Sequence, residues 1–525
     1  MPDTVASVDF DRFRLARLVD RLAEAGEVET VAGNLPLARV AARLDGNPKA
    51  VLFESAGPEG ARLAGNVMGS RRRLALALGT GERDLLPALL DRLDNPIPPV
   101  EVARDAAPVH EVVLEGDDAD LTALPVHLQH ALDGAPYISA GLDFSRDPGT
   151  GFTNIGMRRL MLRGRRAAGI DLNAPSDLRA IYAAAHRRGE NLPVAIVVGA
   201  HPADAIASLS LVPPGDELAL IGGVRGAALP VVRCATSDLM VPADAEIVLE
   251  GHLDPAGWSE PEGPYGEYVG YYGVLKSNPV FHLDAIARRG DALFQTVTIG
   301  GRHMDRTDTA QICALKTEIS LWKALETALR EPVAVCVTAS CGGMYNARVS
   351  LRQRVPGEAR NAIAAVFGSS ADVKHVFVAD ADIDVFSDAE LDWALATRFQ
   401  ADRDLVVASG FRAVPLDPSL QGARAGAKAG FDLTIPFGRL DAQEFTVPGP
   451  PELAGAAARR IPPADALAAG PKHFRELMEA AGSEDGREIV RELEALHAEG
   501  RLGRDPEGRY ALGQGAAVPS VTDTL

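Results

Sequence analysis

The apolar residues Phe10, Phe13, Leu15, Leu18, Leu22 and Ala25 recur at helical spacing and predict an amphipathic helix over 9–26. Mixed helix and short strand follow as far as the Pro-rich connection NPIPPVEV at 95–102. Beyond it the rhythm changes. Apolar runs of strand length, VAIVVGA (194–200), EIVLEG (246–251), VFHLDAIAR (280–288) and LFQTVTI (293–299), are punctuated by Gly and Pro and predict a β-rich middle. KTEISLWKALETALREP then sets Ile319, Trp322, Leu325 and Leu329 on one face and stops at a Pro, which predicts a helix over 316–332. After it VAVCVTAS (333–340), a helix around 357–368, HVFVADADIDV (375–385) and a helix around 388–399 alternate as βαβα, the pattern of an α/β layer.

These patterns divide the chain into an N-terminal α/β region (1–104), a β-rich domain (105–315), the linking helix (316–332), an α/β domain (333–445) and a C-terminal extension (446–525). The extension sets two amphipathic helices before a Gly/Pro hairpin and resembles a winged-helix module. Its residues 471–510 carry seven Lys+Arg against ten Asp+Glu, so a structural or subunit-contact role is favoured over DNA reading, which needs a basic helix. The whole chain agrees: 53 Lys+Arg face 72 Asp+Glu, a formal charge of −19 that repels nucleic acid and anionic lipid. Cys234, Cys313, Cys336 and Cys341 show no paired spacing and suit a reducing cytoplasm. The N-terminus lacks the basic start and apolar core of a signal peptide, and no 18-residue apolar run predicts a membrane span.

Familiar motifs fail on inspection. Gly149, Gly151 and Gly156 would make a dinucleotide fingerprint only if Asn154 were Gly, and Asp380, Asp382 and Asp384 lack the turn Gly and closing Glu of a calcium loop. P-loop, HExxH and GxSxG sequences are absent. What remains is SEPEGPYGEYVGYYG (259–273), where Glu262 and Glu267 bracket a Gly-Pro-Tyr-Gly turn that can fold two carboxylates toward one point. Close carboxylates suit acid/base work, although an acidic turn is also what a solvated acidic surface presents.

TNIGMRRL (153–160), DELALIGGVRG (216–226), VRCATSDLMVPADAEIVLEG (232–251) and EGPYGEYVGYY (262–272) occur in that order, with GAKAGFDLT at 426–434. In residue type and separation this set resembles the UbiD family of prenylated-FMN-dependent decarboxylases, over roughly 105–440. The resemblance implies an α+β multidomain fold. A flavin-reductase-like split β-barrel would hold cofactor and metal, the long helix would follow, and the α/β domain would mediate a homodimer or homohexamer.

It further implies that Arg159 holds the substrate carboxylate, Glu262 orients Arg159 and Glu267 exchanges the proton. Asn154, Ile155, Ser208, Glu217 and Lys428 would bind the cofactor. A Mn²⁺ or Mg²⁺ ion, often with K⁺ nearby, would join its phosphate to Asn154, Glu217 and a third ligand. That third ligand is a His in the family; counting back from GENLPV (189–194) puts Asn173 there, with Asp171 close enough to substitute. The implied reaction is reversible non-oxidative decarboxylation of an aromatic, heteroaromatic or α,β-unsaturated acid. The departures at 173 and in the C-terminal extension turn the reading toward a heteroaromatic or polycyclic aromatic acid. A flavin prenyltransferase would supply the cofactor. The alternatives are an ordinary flavin oxidoreductase on a split barrel, or a regulator acting through the winged-helix-like segment.

Overall fold

The computed structural model describes residues 8–210, 216–369, 372–453 and 460–513. Two compact units divide it, residues 1–434 and 435–525.

The first unit is built around a barrel. Strands Ile247–Leu253, Leu192–Val198, Tyr137–Arg146, Thr153–Leu162, Ala167–Ile170 and Val280–Arg288 follow one another around it, and Val280–Arg288 pairs back onto Ile247–Leu253 to close the ring. Closure leaves no unpaired edge among these six strands. Tyr137–Arg146 is buried at every residue but the last, so it shows no polar-apolar alternation.

The N-terminal region is not a free-standing layer. Its strands Val28–Leu35, Ala50–Ala56 and Ala61–Gly65 are completed by Phe294–Thr296, which comes from beyond the barrel and pairs in parallel with Ala61–Gly65. The first helix is Leu15–Glu24, shorter than the predicted 9–26. Its start is set by Arg14, whose guanidinium holds Glu246 at 3.0 Å and Asp291 at 2.7 Å, while Ala16 N–H donates to the same buried Glu246. An ion pair that distant in sequence leaves no local signal.

The long helix runs Asp308–Ala328, beginning eight residues before the predicted 316 and ending four before 332. Its N-terminus is fixed by fully buried Asp308, which accepts from Met68 N–H at 2.5 Å and Thr298 N–H at 2.8 Å. Thr307 caps it by accepting from Ala310 N–H. Midway, buried Glu318 accepts from Arg71 Nη1 at 2.9 Å and from Val337 N–H at 3.0 Å, tying the N-terminal region to the sheet that follows. That five-stranded sheet orders Pro332–Val337, Asn346–Leu351, His375–Asp380, Ala425–Asp432 and Leu405–Arg412, with helices Glu358–Ser369 and Asp388–Arg398 between strands, as the βαβα pattern predicts.

The second unit contains helices Pro463–Ala468, Phe474–Ala481 and Arg487–Ala498 and a hairpin of Leu502–Arg504 with Tyr510–Leu512, the layout of a winged helix. Its own core gathers Leu467, Leu477, Ile489, Leu493 and Leu496. Among the described residues, no helix is long and apolar enough to cross a membrane.

Candidate active site

Arg159 lies near the end of strand Thr153–Leu162. The Glu-Gly-Pro-Tyr-Gly-Glu turn crosses it as two short ladders, Glu260–Glu262 against Lys276–Asn278 and Tyr265–Gly266 against Tyr272–Gly273. Gly263 joins them at φ +102°, a conformation side chains disfavour. At Gly273 a Cβ would stand 2.7 Å from Glu267 Oε1, so any larger residue there would push that carboxylate from its place.

The three residues singled out in the sequence meet. Arg159 Nε donates to Glu262 Oε1 at 3.2 Å, and Nη1 donates to both Glu267 oxygens at 3.1 and 3.0 Å. Nη2 donates to Asp171 Oδ2 at 2.9 Å. The guanidinium also stacks 4.4 Å above the Tyr265 ring, whose hydroxyl donates to Gln129 Oε1 at 2.6 Å. Glu262 and Glu267 are 0% and 2% exposed. Burial works against the Arg159 charge, but Glu267, Glu262 and Asp171 together hold it more firmly protonated than an ordinary arginine.

Lys276 and Asn278 were not read from the sequence. Lys276 Nζ lies 3.2 Å from Asp171 Oδ2 and 3.6 Å from Glu267 Oε1. Fully buried Asn278 donates to Glu262 Oε2 at 3.1 Å and Asp171 Oδ1 at 3.3 Å. Burial opposes ionisation of Asp171, yet Arg159 and Lys276 outweigh it and hold the group at about 2. Three carboxyl groups, of Asp171, Glu262 and Glu267, thus gather around two cations, Arg159 and Lys276. The only local hint of Lys276 and Asn278 was polar residues just ahead of an apolar strand; strand pairing across the turn brings them in.

Asn154 and Glu217 mark a second centre. Buried Asn154 donates to Asp143 Oδ2 at 2.8 Å, and Arg158 Nε stands 3.3 Å from Asp143 Oδ1. Glu217 opens the helix Glu217–Arg225 and accepts a very short hydrogen bond from Ile155 N–H, which places its carboxylate beside Asn154 in the strand. Burial pushes Glu217 up to about 7 despite that bond, with the charges of Asp177 and Asp143 adding to the effect. No ion pair joins Glu217 to a cation among the described residues. A half-buried carboxylate close in the fold to an amide whose oxygen accepts no hydrogen bond among the described residues is a donor pair that fits a hard divalent ion. No group of three or more His, Cys, Asp or Glu forms a metal cage among the described residues, so the amide oxygen is needed.

The remaining expected residues fall elsewhere. Asn173 donates to Asn278 Oδ1 at 2.7 Å and to Asp171 Oδ1 at 3.2 Å, which commits its side chain to the Arg159 network. Ser208 Oγ donates to Ala205 O at 2.9 Å, within its own helix turn; residues 211–215, between it and Glu217, lie outside the described residues. Lys428 is on strand Ala425–Asp432 of the C-terminal sheet, its Nζ donating to Phe367 O at 3.2 Å and lying over the Phe367 and Phe411 rings.

The chain thus sets a six-strand barrel bearing a buried Arg–Glu–Glu cluster ahead of a long helix and a mixed sheet. Three family profiles match in succession: the N-terminal domain of 3-octaprenyl-4-hydroxybenzoate carboxy-lyase, UbiD, at residues 19–93, its Rift-related domain at 100–303 and its C-terminal domain at 310–433. The chain belongs to the UbiD family and is a carboxy-lyase of that class.

Among relatives, anhydromevalonate phosphate decarboxylase of Aeropyrum pernix is 33% identical over 384 residues, 72% of this chain and 84% of that protein. The decarboxylase of the same name from Methanothermobacter thermautotrophicus is 30% identical over 372 residues, 70% of this chain and 84% of that one. Among solved structures, the UbiD-class enzyme HmfF from Pelotomaculum thermopropionicum in complex with FMN is 32% identical, covers 83% of this chain and 97% of its own, and has a TM-score of 0.78. An evolved dimeric form of HmfF is in complex with prFMN, at 31% identity, the same coverage and a TM-score of 0.74. Vanillic acid decarboxylase from Sedimentibacter hydroxybenzoicus is 28% identical, covers 84% of this chain and 96% of its own, and has a TM-score of 0.76.

Proposed function

We propose that the protein carries out reversible, non-oxidative decarboxylation of an aromatic, heteroaromatic or α,β-unsaturated carboxylic acid with prenylated FMN as its cofactor. The observation that carries this reading is the meeting of Arg159, Glu262 and Glu267 at one buried point. The HmfF complexes with FMN and prFMN support the cofactor. Bound prenylated FMN supplies the electron sink that an sp² carbon losing CO₂ lacks.

The chain's own residues supply the rest. Arg159 offers a planar fork that grips a carboxylate with paired hydrogen bonds. Glu262, bonded at Nε, fixes the plane of that fork. Glu267 now occupies Nη1; when the substrate carboxylate takes that place, Glu267 is displaced and holds the proton destined for the carbon. Enclosure keeps bulk water from competing for the carbanion.

At the second centre Asn154 and Glu217 would hold a Mn²⁺ or Mg²⁺ ion against the cofactor phosphate, with K⁺ nearby and Ile155 N–H orienting Glu217. Asn173 and Asp171 are engaged in the Arg159 network, so neither is assigned to the metal. Ser208 and Lys428 are likewise left without a cofactor role. Glu217→Gln is expected to weaken Mn²⁺ binding roughly 10- to 100-fold, read by calorimetric titration of the purified chain.

The decisive experiment co-produces the chain with a flavin prenyltransferase, its proposed cofactor supplier. CO₂ release is then followed from a panel: 3,4-dihydroxybenzoate, vanillate, anhydromevalonate phosphate, and furan and polycyclic aromatic carboxylates. Release by the prenyl-flavin form and none by the FMN form supports the reading. NADH-dependent bleaching of the flavin without CO₂ release overturns it in favour of an oxidoreductase. Native mass spectrometry of the same sample reports the metal and whether the chain is a homodimer or homohexamer.

A further inference from the structure

Each decarboxylation consumes a proton, since RCOO⁻ and H⁺ become RH and CO₂. A Glu267 that has given its proton to carbon must be recharged before the next cycle, yet its side chain is only 3% exposed. Two cations lie within ion-pair reach of it, Arg159 and Lys276. A guanidinium does not release its protons in a protein. Glu262, at 1% side-chain exposure, is no closer to water. Lys276 differs on both counts: its ammonium can lose and regain a proton, and its side chain is 21% exposed while Nζ stands 3.6 Å from Glu267 Oε1.

We propose that Lys276 is the proton relay between solvent and Glu267; this rests on the decarboxylase reading above. In the step, the electron pair of the broken C–C bond forms the new C–H bond with the Glu267 proton, leaving Glu267 as a carboxylate. The Lys276 ammonium then passes one N–H proton to Glu267 Oε1, becomes a neutral amine and takes a replacement proton from solvent. No oxidant or reductant enters. The 3.6 Å gap closes by rotation of the flexible lysine stem or through one bridging water. Asp171, ionised between Arg159 and Lys276, holds Nζ in place and draws the replacement proton onto it.

The test compares prenyl-flavin-loaded wild type, Lys276→Met and Lys276→Arg by rapid mixing with whichever panel acid the wild type decarboxylates. Flavin absorbance reports that each variant is folded and loaded. Both variants are expected to release a first equivalent of CO₂ and then slow at least tenfold in steady state, with KM unchanged. Added imidazole or methylamine should restore Lys276→Met. Arginine keeps the charge beside Asp171 but cannot pass a proton on. Restored steady-state turnover in Lys276→Arg would therefore assign Lys276 to charge placement and overturn the relay, as would wild-type rates in both variants. Loss of the first equivalent in both would place Lys276 in the chemistry itself, which also overturns it. A wild type that releases CO₂ from no acid overturns the decarboxylase reading, and the relay falls with it.

Discussion

Glu267→Gln is expected to lower CO₂ release by about 10²–10⁴-fold, the span over which positioned proton transfer contributes to enzymatic rates. Glutamine has nearly the same shape and can still accept from Arg159 Nη1, so the turn and the flavin site should stay intact. The proton chemistry changes more than the packing, because a carboxamide has no acidic proton to hand to carbon. The expected signature is a collapse of kcat with KM unchanged or lowered. Substrate binding measured by calorimetry beside CO₂ release separates the two, and full turnover in the variant would remove Glu267 from the mechanism.

Arg159→Met should cost the protein twice. Activity falls by three orders of magnitude or more, in line with losing a charged anchor aimed at the reacting group. Stability falls as well, because Glu262, Glu267 and Asp171 are left in a buried site with only Lys276, which reaches Asp171 and Glu267 but forms no ion pair with Glu262. Breaking a buried pair by removing one partner costs about 3–5 kcal/mol. The variant is expected to unfold at lower denaturant, read by far-ultraviolet circular dichroism. Arg159→Lys should recover part of the stability and little of the rate, since a point charge cannot serve three carboxylates and a substrate at once.

The turn that carries Glu262 and Glu267 was legible from its own residues, while Asn154 and Arg159, which share one strand, were reached through the family resemblance. Lys276 and Asn278 enter through ladder pairing across that turn, and Asp171 through an arginine twelve residues away. Asn173, placed by a count back from a distant motif, has its amide bonded to Asn278 and Asp171.

In the fold, alternating or freely periodic segments were legible, as at Val280–Arg288 and in the βαβα sheet. The strand Tyr137–Arg146 was not, because burial on both faces erases the alternation. The long helix was read from its apolar face at Ile319 onward. Its first turns bury Asp308 against backbone donors of two other segments, a polar start whose purpose no window of sequence shows.

All three nitrogens of the Arg159 guanidinium are committed to resident carboxyl groups, Nε to Glu262, Nη1 to Glu267 and Nη2 to Asp171. Any acid that enters must therefore evict one of them to be gripped, and a product that has lost its carboxylate leaves the evicted neighbour free to return.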